Sequence, residues 1–337
     1  MAFITEINIP EFPWKMDYSK SMMFFGSCFS ENIGQKLLDM KFNIDLNPFG
    51  ILYNPVSIAN SLKILLEKRL FTKYDLFQDQ GQWNSFYHHS RFSDTNRELA
   101  LEKINSRISQ SHEFLAKADF LLITFGTSWV YEYNRTGQVV SNCHKVPSSQ
   151  FKRYRLDVSD IADSYSELIK ELIRFNPKLK LVFTVSPIRH WKDGAVENQV
   201  SKSVLLLAID QLVKGLGNNY CKYFPSYEIM MDELRDYRFY ADDMIHISPV
   251  GIDYIFERFS KVMITPESLA TAKQVGKIRK ALAHRPVNWT SPEYEKFLSY
   301  NLEEINKLTI NFPYLNFTNE RKQLDQDLAD IQKTRIK

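Results

Sequence analysis

Three residues of this 337-residue chain have the types and the order that nucleophilic acyl chemistry requires. Ser27 stands in FFGSCFSENIG, where the apolar run MMFFG ends in Gly-Ser and helical spacing follows. A strand-to-helix turn lifts a small side chain to the carboxyl edge of a sheet, where open α/β folds place their sites. Gly26 allows the tight turn, and the N–H groups that open the helix point at whatever binds there. The same letters also fit a plain helix cap at Ser27 or Ser30. Towards the other end, DDMIHISPVG holds Asp243 and His246 three residues apart. A serine hydroxyl becomes a good nucleophile when a base takes its proton, and histidine has the pKa for that task. A carboxylate then orients the imidazole and stabilises the imidazolium. One short turn can supply both partners. A surface Asp and a capping His would satisfy this motif alone; the chain order, a Ser turn first and Asp-x-x-His last, is what points to catalysis.

Other reactive side chains have weaker patterns. Cys28 comes directly after Ser27, and a thiol at a helix N-terminus can have a lowered pKa, but adjacent side chains diverge. His88 and His89 fall on a predicted strand, where neighbours point to opposite faces, so at most one faces a site. A metal centre needs three or four convergent ligands. No H-x-x-x-H or H-x-H spacing supplies them, and no metal or cofactor is expected. His144, Lys145, Arg189 and His190 suit an anionic or polyhydroxylated substrate, or else hold inserted hairpins in place. Trp83, Trp129 and Trp191 come from separate blocks and would stack sugar rings if they converged; separately they are core.

These groups must be carried by a scaffold, and the hydrophobic pattern predicts one. Strands are expected at 22–26, 42–46, 119–126 and 179–187, with a short run at CKYFPS. Between them, helical spacing covers 31–40, 56–68, 96–117, 161–175 and 198–216. A last helix starts after Ser248-Pro249, with Ser as cap and Pro in the first turn. Apolar, non-alternating strands that alternate with helices read as a mostly parallel sheet covered on both faces, a three-layer α/β domain. The stretches 82–92 and 129–141 break the alternation and read as hairpins inserted at the mouth of the sheet. After about residue 265 strands stop, and helices are predicted at 267–283, 292–309 and 318–334. Leu298, Leu302 and Ile305 share a face, as do Leu324, Leu328 and Ile331. The expected organisation is an α/β domain over 1–265 with a helical extension over 266–337 packed on it. Alternatively, those faces let copies of the chain associate.

Composition bounds the partners. Lys and Arg number 43 against 40 Asp and Glu, a net +3, with 44% apolar and 25% charged residues. That matches a globular chain and gives no basic footprint for nucleic acid. Three cysteines without a C-x-x-C pair suit free thiols in a reducing compartment. The first twenty residues lack a basic n-region and a long apolar h-region, and no run reaches ~18 apolar residues, so neither export nor membrane insertion is expected. A cytoplasmic protein is the resulting expectation.

The order of the motifs resembles that of the SGNH (GDSL-like) hydrolases, and FFGSCFSENIG in particular resembles the signature of the GSCFA domain family within them. NPFGILYNP, GTSWVY, NCHK and TVSPIRHWKDG are similar to further family blocks, so the resemblance runs from about residue 20 to 260. It implies a flavodoxin-like three-layer fold, with Ser27 as nucleophile, His246 as base and Asp243 as orienting acid; Asp242 is adjacent, but the Asp-x-x-His spacing selects Asp243. It assigns the nucleophile to Ser27 rather than Cys28. It also implies an oxyanion hole from the Ser N–H, a Gly after the second strand and an Asn in a Gly-x-Asn-Asp block. Gly50 fits the second role. The third departs from the pattern, because Gly126 precedes Thr127-Ser128-Trp129. Thr127, by hydroxyl or N–H, or Asn54 would have to replace the missing amide. The implied activity is that of an ester hydrolase or acyltransferase acting on a small-molecule or glycan ester. The rival expectations are a ligand-binding module that kept the fold without turnover, and an assembly protein working through its C-terminal helices.

Overall fold

A computed structural model describes residues 4–217, 220–284 and 286–336. The chain runs β1 (Ser21–Gly26), α1 (Cys28–Asp39), β2 (Asn43–Leu46) and α2 (Pro55–Glu67), then a hairpin of β3 (Phe77–Asp79) and β4 (Gln82–Asn84). Next come α3 (Arg97–Leu115), β5 (Phe120–Phe125) and three antiparallel strands, β6 (Trp129–Tyr133), β7 (Gln138–Val140) and β8 (Phe151–Arg155). After these stand α4 (Val158–Phe175), β9 (Lys180–Val185), α5 (Gly194–Leu216), β10 (Cys221–Tyr223), the single turn α6 (Ser226–Glu228) and α7 (Pro249–Met263). The helices α8 (Pro266–Leu282), α9 (Pro292–Asn311) and α10 (Thr318–Ile336) close the chain.

Five strands pair in the order β10-β9-β5-β1-β2, every neighbour parallel. This is the flavodoxin-like order, and its topological switch point lies between β1 and β5. All six residues of β5 are buried, which is why FLLITF reads as an unbroken apolar run. Alternate side chains feed two cores. Met23, Phe25, Leu121 and Ile123 pack with α2 to α5, while Met22, Phe24, Phe120 and Leu122 pack with α1 and α7. Val275 of α8, Leu298 and Ile305 of α9, and Leu324 and Ile331 of α10 are buried in this second core. Ion pairs Lys41–Glu320 and Arg279–Asp39 also tie these helices to the end of α1. Burying one such side chain contributes about 1.5–3 kcal/mol, so the apolar faces read from sequence are used in packing on the α/β layers.

The inserted segments differ from expectation in one place. β6 and β7 form the predicted hairpin over 129–141, but the strand partner of β4 is β3, upstream, and downstream it makes only an isolated antiparallel bridge from Trp83 to Asp94. Gln80 and Gly81 both have positive φ, the turn geometry that a two-residue hairpin needs. His88 and His89 consequently lie outside any strand, and His89 caps a short 3-10 turn by accepting from Arg91 N–H. β8 pairs with β6 and was not anticipated, because FKRYR carries no apolar run. At α7 the expected cap is present: Ser248 Oγ accepts from Gly251 N–H at 3.3 Å, with Pro249 in the first turn. Among the described residues, no helix is long and apolar enough to cross a membrane.

Candidate functional site

The Ser27 turn is pinned from several sides. Gly26 has φ +145°, and a Cβ there would lie 2.4 Å from the Thr124 carbonyl oxygen, so β1 approaches β5 as only glycine allows. Gly26 N–H donates to Asn47 Oδ1 at 2.9 Å, and its carbonyl accepts from Leu52 N–H at 2.9 Å. Asn47 is itself held by the Glu31 carboxylate and the Arg91 guanidinium. Ser27 is 2% exposed and caps α1, its Oγ accepting from Phe29 N–H at 3.3 Å. Cys28 Sγ lies 3.5 Å from the Tyr53 hydroxyl.

Asp243 and His246 meet in the loop that precedes α7. Met244 adopts φ +57°, and bonds from Met244 N–H to Ala241 O and from Ala241 N–H to His246 O fold the loop back on itself. Asp243 Oδ1 accepts from the N–H groups of Ile245 at 3.0 Å and His246 at 2.9 Å, while Oδ2 lies 2.5 Å from His246 Nδ1. The bond to the His246 side chain, and after it the two backbone donors, hold the Asp243 carboxyl down at about 2. An ionised carboxylate only accepts, so Nδ1 carries the hydrogen and Nε2 presents its lone pair. That is the tautomer a general base needs. Asp242 makes no bond to His246 among the described residues.

His190 borders the serine turn. Its ring stands edge-on to Tyr53, centroids 5.4 Å apart, and its Nε2 lies 3.4 Å from where a Cβ on Gly126 would sit. Burial first, then the charge of Lys202, pushes His190 down to about 4, and the His246 charge acts in the same direction. Tyr53 in turn touches Cys28. The Ser27 turn, the Tyr53–Asn54 corner, Gly126 and His190 therefore gather at the carboxyl edge beside the switch point, and Asp243 lines a cleft with Arg189, just past the carboxyl end of β9. Among the described residues, no hydrogen bond joins Ser27 to His246; the hydroxyl is turned to its own helix.

Several expected donors are engaged elsewhere. Gly50 N–H closes a turn onto Asn47 O at 2.8 Å. With φ +84°, a Cβ on Gly50 would lie 2.1 Å from His89 Cβ, so this position needs glycine for close packing. Gly126 and Thr127 both donate their N–H to Tyr53 O, at 2.7 and 3.0 Å. The Thr127 hydroxyl pairs with Ser201 Oγ and accepts from Trp129 N–H, both at 3.1 Å. Asn54 uses its amide oxygen to cap α2 through Ser57 N–H at 2.8 Å, which leaves Nδ2 as its donor side. His144 Nε2 bonds Ser85 O at 2.8 Å and packs against Phe77, so it holds the inserted hairpin. His88 is buried among Phe49, Phe71 and Phe92 with Nδ1 3.0 Å from Ser85 Oγ, and burial pushes it down to about 3. Trp83 stacks with Arg97 and Trp129 with Arg153, whereas Trp191 is half exposed; among the described residues no ring contact joins any two of the three. Among the described residues, no group of three His, Cys, Asp or Glu could hold a metal ion.

Lys202 was not among the residues expected at the site. It is 1% exposed, and Nζ donates to Gly126 O and Ser186 O, both at 2.7 Å, across the ends of β5 and β9. Burial, aided by the Arg189 charge, pushes the ammonium down to about 7. The signal was present: Asn198, Ser201, Lys202, Leu205, Ile209 and Leu212 keep helical spacing along one buried face. Beside Asp243 opens a cleft of about 470 Å³, whose walls include Arg189, Trp191, Tyr237 and Tyr240.

The profile of the GSCFA family matches residues 21–259, and that of the GSCFA domain protein, C-terminal domain, matches 275–330. Among solved structures, the chain is similar to an acetyl xylan esterase (Est2A) from the rumen bacterium Butyrivibrio proteoclasticus. Identity is 11% and the TM-score 0.30, over 65% of this chain and 57% of the esterase chain. No curated protein matches.

Proposed function

We propose that this chain, which belongs to the GSCFA family, is a serine ester hydrolase or acyltransferase. The observation that carries the reading is the Asp243–His246 pair, bonded at 2.5 Å with the base tautomer set, its Asp243 lining the cleft just past the carboxyl end of β9. In this reading Ser27 Oγ attacks the acyl carbonyl carbon while His246 Nε2 takes its proton. The tetrahedral intermediate collapses, His246 returns the proton to the leaving oxygen, and an acyl group remains on Ser27. Water or an acceptor hydroxyl then attacks, with His246 again as base. In this reading Asn54, whose Oδ1 is taken by Ser57 N–H, would offer Nδ2 to the oxyanion; one such donor is worth about 2.7–4 kcal/mol of barrier. Carbohydrate esters are the first class to assay, because Trp191 and Tyr237 expose ring surface at the cleft.

A second reading, a ligand-binding module without turnover, is favoured by the capped, buried Ser27 hydroxyl and the engaged N–H groups of Gly50 and Thr127. Reaction with a fluorophosphonate probe and peptide mapping separates the two. A stoichiometric adduct on Ser27 that is lost in Ser27→Ala and in His246→Ala is the expected result. An adduct on Cys28, or none in a folded protein, would overturn the esterase reading.

A further inference from the structure

The cleft beside Asp243 contains a cation without a counterion. No hydrogen bond or ion pair among the described residues reaches the Arg189 guanidinium, and its Nε is buried with no partner. The acids nearby are taken: Asp243 by His246, Asp236 by Arg238, and Asp193 by Arg153. Arg235, the other guanidinium on the wall, is paired with Asp232 at 2.6 Å. Arg189 is thus the guanidinium of this wall that no carboxylate engages among the described residues, since Asp236 and Asp243 on the same lining are each bound to another side chain. Arg189 is half-buried and its Nε is shut from solvent without a partner, which is costly as it stands and becomes favourable with a carboxylate or phosphate, whose oxygens match the planar fork. The rest of the wall is mainly apolar or aromatic, with Trp191, Tyr237, Met230 and Met244.

We propose that this cleft is an anion seat, in which Arg189 receives a carboxylate or phosphate borne on an apolar or aromatic portion of the substrate. The assignment of that ligand as substrate rests on the esterase reading; the seat itself does not. It restricts the substrate class to acyl esters that carry a negative group on the part lying in the cleft, and it disfavours neutral esters of the same shape.

The test is equilibrium binding of three probes to the full chain by calorimetry: phenylacetate, benzyl phosphate and benzyl alcohol. At least one anion is expected to bind about tenfold or more tightly than the alcohol, as a charge-assisted pair warrants. The stronger of the two identifies the anion chemistry. Added salt is expected to weaken the anions and leave the alcohol unchanged, a measurement on the native chain that needs no variant. Arg189→Gln is expected to erase the discrimination, and Arg189→Lys to restore it in part, with charge kept and fork lost. Equal binding of alcohol and anions, or discrimination that survives in Arg189→Gln, would overturn the seat. Ser27→Ala separates the two proposals, since it is expected to lose fluorophosphonate labelling and keep anion binding. If the native chain is never labelled yet binds anions through Arg189, the esterase reading falls and the seat stands.

Discussion

Replacing Lys202 with methionine removes an ammonium that has two carbonyls, and no carboxylate, for partners. In the folded chain burial pushes this group from 10.5 to about 7. Between those values the unfolded chain holds a proton that the folded chain does not, so the stability of the native protein rises with pH across that window. Below about pH 7 both states are charged and the full burial penalty is present. The slope reaches about 1.4 kcal/mol per pH unit, or about 5 kcal/mol over the 3.5-unit window. Lys202→Met has no such dependence. It removes the penalty but leaves Gly126 O and Ser186 O without their donor, a loss of about 1–3 kcal/mol each. The two effects nearly cancel at about pH 6, where the variant is expected to be close to the native chain in stability. At about pH 10 the carbonyl loss stands alone, and the variant is expected to be several kcal/mol less stable. Urea unfolding monitored by tryptophan fluorescence at unit steps of pH measures this, and the difference between the two proteins cancels every other titrating group. A difference that is flat from about pH 6 to 10, or that grows towards acid, would refute the account of Lys202 as a desolvated clamp.

Two further expectations concern the scaffold. Gly26→Ala places a Cβ 2.4 Å from a backbone oxygen at positive φ, so it is expected to lower stability by at least about 1–3 kcal/mol, read as a fall in thermal midpoint. His88 is neutral in its aromatic cage, held down at about 3, and the unfolded chain takes its proton first as pH falls below about 6.5. Stability is therefore lost towards acid at up to about 1.4 kcal/mol per unit. His88→Phe is expected to flatten that limb in urea unfolding between about pH 6.5 and 4, and an unchanged slope would place the acid-sensitive group elsewhere.

Periodicity and caps made part of the fold legible in the sequence. FLLITF announces a strand buried on both faces, and Ser248-Pro249 and Ser291-Pro292 announce helix starts that the structure contains. The apolar faces of 298–305 and 324–331 announce helices that pack. Contacts that depend on the third dimension were not legible. Gly50 is not recognisable from its neighbours as a packing glycine, because the reason is His89, far along the chain. Thr127 has the chemistry of a donor, yet its N–H and hydroxyl go to Tyr53 and Ser201, which only the fold brings near. The β3–β4 hairpin was misplaced because Gln80 is an uncommon turn residue and FQD is too short to show alternation. Lys202 could have been found: a lysine in register with Leu205 and Ile209 is either a pairing problem or a device.

The Ser27 hydroxyl faces its helix and not His246, and magnitudes decide how much that matters. A serine cap is worth about 0.5–2 kcal/mol, and at 3.3 Å this bond is at the long end of the range. General-base assistance contributes about 10²–10⁴ in rate, which is about 3–5 kcal/mol. Rotation of Oγ from Phe29 N–H towards a base therefore costs less than the base returns. The rotation also frees the Phe29 N–H at the positive end of α1, where a developing oxyanion is favoured. The cap is thus weak support for a binding module: a serine held in reserve at a helix terminus is compatible with turnover, provided His246 Nε2 can approach. The loop between Tyr240 and Ile247 determines that approach, since Met244 at positive φ and the backbone bond between Ala241 and His246 set the imidazole's height above the sheet edge. Met244, Asp243 and Arg189 line the adjoining cleft together, so a ligand filling it would touch all three. On the proposed reading, substrate binding and positioning of the base would thereby be coupled through one loop.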